Sequence, residues 1–119
     1  MFNPVSLDGA ALGDSWVLDI DVRPGEVVFE LDLVLLPGHP AYEPPEPGEE
    51  YCYRRASLRF GGLREVTWRL GDSPPWEDPE DELDYGNIDT LRTDGEVYEL
   101  DGDWGAMRLV ADPPLVDLQ

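Results

Sequence analysis

The chain has 119 residues, of which 27 are aspartate or glutamate against eight arginines and no lysine, for a formal charge of −19. So anionic a surface repels nucleic-acid phosphates and anionic lipid headgroups and attracts a basic protein, which sets the expected partners: a basic protein, no nucleic acid, no membrane. Four tryptophans, five tyrosines and three phenylalanines supply core material that a disordered acidic chain lacks, so residues 1–119 are read as a single folded domain.

At the N-terminal end, at most a turn of helix fits residues 8–13. The first clear element is "SWVLDIDVRPGEVVFELDLVLL". Folding it about Pro24-Gly25 opposes Val22 with Val27, Ile20 with Phe29, Leu18 with Leu31 and Trp16 with Leu33, four apolar pairs on one face of a hairpin. Proline at the first corner excludes the primed turns, and a four-residue loop closed by Val22 and Val27 keeps the same register. The opposite face carries Asp19, Asp21, Glu30 and Asp32.

A stiff acidic stretch follows, with His39, Tyr42, Glu43, Glu46, Glu49 and Glu50 among prolines and glycines. Next comes "YCYRRASLRFGGLREVTWRL", read as a second hairpin around Gly61-Gly62-Leu63. That register faces Leu58 with Val66, Ala56 with Trp68, Arg59 with Glu65 and Ser57 with Thr67. It also sets Arg55 opposite Arg69, a like-charge pair that needs an anion nearby.

Residues 71–84, with Trp76, Glu80, Asp81 and Glu82, read as a second acidic, proline-rich surface loop. The segment 85–112 then supplies three short strands, parted at Asp94-Gly95 and at Asp101-Gly102-Asp103, with Pro113 and Pro114 ending the last. The sum is an all-β domain of about seven antiparallel strands in hairpins, as a sandwich or a partly open barrel, with long acidic loops.

No motif for phosphate, dinucleotide or zinc binding occurs, and no serine elbow, so no cofactor is expected. His39 reads as a loop histidine and Cys52 as a small buried hydrophobe. Asp19, Asp21, Glu30 and Asp32 form a patch of hard oxygen ligands, yet a flat sheet face has no wrapping loop to cage calcium. Pairing with Arg55, Arg59 or Arg69 of a neighbouring strand is the expectation for them, with no metal. Trp16, Trp68 and Trp104 read as core. Trp76 and Tyr42 sit in the acidic loops, either folded over the sheet or anchoring a partner. One cysteine allows no internal disulfide, and neither a charged-then-apolar leader nor a long apolar run is present, so a cytoplasmic location is expected.

The stretches "GDSWVLDIDV", "GEVVFELDL", "LRFGGLREVTW", "DYGNID" and "YELDGDWGAMRLVAD" together resemble small uncharacterised bacterial all-β families, some relatives of which are grouped with immunity proteins of polymorphic toxin systems. The resemblance spans most of residues 13–112. It implies an antiparallel β fold and a binding role, and no catalytic residues.

Three readings of function follow. In the first, the protein is a non-enzymatic acidic binding module, an inhibitor or immunity protein against a basic partner, with Tyr42, Glu46, Glu49, Glu50, Trp76, Glu80, Asp81 and Glu82 as the contact set. In the second, it is a small enzyme with a cleft near His39 and Cys52. In the third, it is a homodimeric domain without a specific partner.

Overall fold

A computed structural model of the chain describes residues 1–5, 7, 9–45, 47–48, 51–70, 76–77 and 83–119, without the side chains of residues 76, 77, 83 and 84. Two antiparallel sheets pack face to face as a sandwich, without closing into a barrel. One sheet has the order β11-β4-β3-β2, from Leu115–Leu118, Cys52–Gly61, Glu26–Leu35 and Ala10–Arg23. The other has the order β1-β8-β9-β10-β5, from Asn3–Pro4, Ile88–Asp94, Val97–Gly102, Gly105–Val110 and Glu65–Leu70. Two short strands, β6 (Trp76–Glu77) and β7 (Leu83–Asp84), pair with each other. Residues 10–13 belong to β2, and no helix occurs among the described residues.

Alternation of apolar and polar residues builds the core. Phe29, Leu31, Leu33 and Leu35 of β3 and Ala56, Leu58 and Phe60 of β4 point inward from one sheet. Leu91, Tyr98, Leu100, Met107 and Leu109 meet them from the other. Aromatic edge contacts join the layers: the Phe29 ring lies 5.4 Å from that of Trp104, and Phe60 lies 5.4 Å from Tyr98. Offset and edge-on pairs of this kind add to the area they bury.

The first hairpin forms in the expected register only near its turn. Val22 faces Val27 and Ile20 faces Phe29, and pairing continues to Arg23 and Glu26, which leaves Pro24-Gly25 as the whole connection. Gly25 has φ 86°, as a type II turn with proline at its first corner requires. Farther out, Leu18 is an extra residue in β2, so Val17 takes the place opposite Leu31 and Trp16 falls opposite Asp32. A β-bulge of this kind turns the preceding side chains to the other face. Val17 is therefore fully buried, and Trp16, expected in the core, is 40% exposed.

A second, larger irregularity lies between Ala11 and Trp16. Ser15, only 2% exposed, closes it. Its hydroxyl donates to the Ala11 carbonyl at 2.6 Å and accepts the Val34 N–H at 2.9 Å, replacing the ladder bonds that the bulge removes.

The second hairpin does not form. β4 pairs with β3 and β11, while β5 pairs with β10 in the opposite sheet. Gly61-Gly62-Leu63 is a crossing between layers. Arg59 accordingly faces Val28 and Leu115, and not Glu65. A second crossing, from β10 to β11, runs beside the first: the Asp112 N–H donates to the Gly61 carbonyl at 2.9 Å, and the Arg64 N–H donates to the Val110 carbonyl at 2.7 Å. Gly62 adopts φ 58° and packs so closely on the Asp112 carboxylate that a side chain there would collide with it.

Among the C-terminal strands, a turn forms at the expected Asp94-Gly95 site, with Asp94 paired to Val97 and Gly95-Glu96 as the connection. The next turn is displaced by a residue or two: β9 continues through Gly102, and Asp103-Trp104 makes the connection. Trp104 is the cause. Its ring is buried in the core and its indole N–H donates to the Asn87 carbonyl at 3.1 Å, which draws the turn inward.

Candidate functional site

Most of the expected contact set, Glu46, Glu49, Glu50, Glu80, Asp81 and Glu82, lies outside the described residues, as does the side chain of Trp76. Trp76 itself stands in β6, opposite Asp84 of β7. Tyr42 is half-buried and packs against the core, and its N–H donates to the His39 carbonyl at 3.0 Å. Beyond it the chain borders a groove of about 240 Å³ lined by Ala41, Glu43, Pro44, Pro45, Cys52, Tyr53 and Arg54. Cys52 forms the floor of this groove from the first position of β4.

His39 does not line that groove. Its Nδ1 accepts the Ala41 N–H at 3.0 Å, and its Cβ sits against Gly9, where an added methyl would lie 2.8 Å away. The imidazole therefore braces the loop.

The outer face of the four-stranded sheet carries more carboxylates than arginines. Asp19 stands directly opposite Glu30, and Trp16, Asp32 and Arg55 follow one another across β2, β3 and β4. Asp19, Asp21, Glu26, Glu30, Asp32 and Asp117 share this face with Arg23, Arg55 and Arg59. Arg55 lies 3.6 Å from Asp32, Arg59 lies 3.6 Å from Glu26 and 3.9 Å from Asp117, and Arg23 lies 2.6 Å from Asp21. The Asp21 carboxylate, and less strongly Glu26, holds the Arg23 guanidinium above its ordinary pKa. Glu30 accepts from the Ser57 hydroxyl at 2.8 Å and from the Gln119 amide at 3.0 Å. The four carboxylates Asp19, Asp21, Glu30 and Asp32 are thus spread along two strands, and Asp21, Glu30 and Asp32 are engaged with neighbours. Among the described residues, no group of three or more such side chains could hold a metal ion.

Trp16 is the residue on this face that alternation alone does not find. Trp16, Val17 and Leu18 are consecutive and all apolar, so either Val17 or its two neighbours can point inward. The run itself was the available signal, because three successive large apolar residues break a period of two.

The outer face of the five-stranded sheet carries as many arginines with fewer carboxylates between them. Thr67, Arg108, Glu99 and Arg92 follow one another across β5, β10, β9 and β8, with Arg69 one row away opposite Ala106. They border a groove of about 260 Å³. Arg69 therefore serves neither Arg55 nor the carboxylates of the first hairpin. Arg92 lies over the Phe2 ring at 6.0 Å. At one end of this sheet Asp89, the extra residue of a bulge in β8, has its pKa raised by partial burial and then by the Asp103 and Asp101 carboxylates.

No helix among the described residues is long and apolar enough to cross a membrane. No protein-family model, curated protein or solved structure matches the chain.

Proposed function

We propose that this protein is a non-enzymatic, acidic binding module for a basic protein, acting in the manner of an inhibitor or immunity protein. One observation carries the reading: the cations of the chain are too few for its anions, and half of them are already committed. Arg23, Arg55, Arg59 and Arg64 already hold carboxylates of the chain itself. With 27 acidic residues and eight arginines, the bulk of the carboxylates can be neutralised only from outside. Such a surface accelerates encounter with a cationic partner and excludes anionic ones. Proline-bracketed acidic segments lose little entropy on binding, which favours residues 42–50 and 77–84 as contributors. Catalysis by His39 and Cys52 lacks comparable support, since His39 Nδ1 is occupied by a backbone N–H and Cys52 is buried in the core.

Capture from the source cell tests this reading. The native protein is compared with Glu46→Gln/Glu49→Gln/Glu50→Gln and with Glu80→Gln/Asp81→Asn/Glu82→Gln. The native chain is expected to retain a specific basic protein, and both variants to associate with it more slowly, with the difference shrinking at high salt. Recovery of the same basic proteins in equal amounts by all three overturns a role for the two acidic segments. Failure to enrich any basic protein overturns the function itself.

A further inference from the structure

We propose that the outer face of the four-stranded sheet is the docking surface for an arginine- or lysine-bearing segment of the partner, with Trp16 as its anchor. This rests on the acidic-module reading and gives that reading a place and a chemistry. The bulge at Leu18 removes Trp16 from the core and leaves it 40% exposed in a strand whose next residue, Val17, is fully buried. Exposed indole surface on a sheet is unfavourable in water, and burying it against a partner recovers that loss.

The surroundings select the partner. Across the strand from Trp16 is Asp32, and in the next row Asp19 stands opposite Glu30. Among the described residues Asp19 has no cation within ion-pair distance, and Asp32 has only the half-exposed Arg55. A cationic side chain laid on the indole is attracted by the ring face and placed beside carboxylates that accept its N–H groups. A guanidinium suits both demands, because it is planar, stacks on aromatic rings and donates in a fixed fork. The opposite face of the molecule sets Arg69, Arg92 and Arg108 around only a few carboxylates, Glu99 and Asp101 among them, and attracts the same segment less than the six carboxylates of the four-stranded face do.

The test uses the whole, isotope-labelled chain, titrated at low salt with a blocked hexa-arginine peptide. The reporter is the indole N–H resonance of Trp16, assigned by its loss in Trp16→Phe. That resonance is expected to shift and saturate. Trp16→Leu, which keeps the charge and much of the bulk, should raise Kd about two- to tenfold, while Trp16→Phe retains most of the affinity. Asp19→Asn/Glu30→Gln should weaken binding similarly and flatten its salt dependence. The two aromatic replacements are independent, so misfolding of the leucine variant leaves the phenylalanine variant and the indole shift to decide. If the peptide binds the leucine variant as tightly as the native chain, or moves only signals elsewhere, the contact lies on another acidic surface and the module reading survives. If it binds nowhere, both fall.

Discussion

Ser15 holds a position that no apolar residue can fill. Its hydroxyl bridges the Ala11 carbonyl and the Val34 N–H where β2 leaves the regular ladder. Ser15→Ala removes both bonds and leaves a buried donor without a partner, which costs about 1–3 kcal/mol. Denaturant unfolding should show that loss as a lower midpoint with an unchanged slope. A cost near zero would mean that water or a shift of β2 replaces the hydroxyl. Asn87 is a comparable single-residue link between the layers. Its side-chain amide donates to the Gly13 carbonyl of β2, while its own carbonyl accepts from Trp104. Gly102 packs on that same carbonyl, leaving no room for a side chain.

The pairing of β4 separates two elements that are adjacent in sequence. Because β4 lies between β3 and β11, Arg59 belongs electrostatically to Glu26 and Asp117. A double-mutant cycle on Arg59 and Glu26 should give a coupling of about 0.2–1 kcal/mol, as befits a partly exposed pair. The same cycle on Arg59 and Glu65 should give none, and a measurable coupling there would restore the hairpin. Alternation located the buried face of β4, where Leu58 and Phe60 are core, but in β5 only Trp68 packs against the core and Val66 stays exposed. The pattern carried no information about neighbours, because strands in both layers face the same core and show the same period. Gly61-Gly62 satisfies a tight hairpin and a layer crossing alike. Pro24-Gly25 is different: proline φ and a glycine at positive φ fit one short turn, and the register beside it was therefore legible. That legibility ended at Leu18, where a bulge left no mark that a run of apolar residues would not equally leave.

For the molecule as a whole, self-repulsion at −19 should be the dominant electrostatic term. Added salt is then expected to raise the melting temperature, because the exposed arginine pairs it weakens are worth little and the repulsion it screens is shared by every carboxylate. Mild acid should act in the same direction through Asp89. Its folded-state pKa is raised, so the folded form binds the proton more tightly; that contribution is gained as pH falls toward the ordinary carboxylate range and lost as pH rises through the folded value. A melting temperature that falls with salt would instead make the arginine–carboxylate pairs the stronger term. The excess charge behind this expectation was plain from composition. The division of the arginines between two opposite outer faces was not, since it depends on which layer each strand joins. The same partition has a temporal side. β11 closes the four-stranded sheet only by returning from the far layer to lie along β4, some fifty residues earlier in the chain. During synthesis β4 therefore waits, with Leu58 and Phe60 on one side and an unpaired edge beside them, until residues 115–118 emerge. An open strand edge invites pairing with other chains. Arg54, Arg55 and Arg59 stand along that edge, and charged side chains on an open edge discourage its pairing with like strands until the chain's own end covers it.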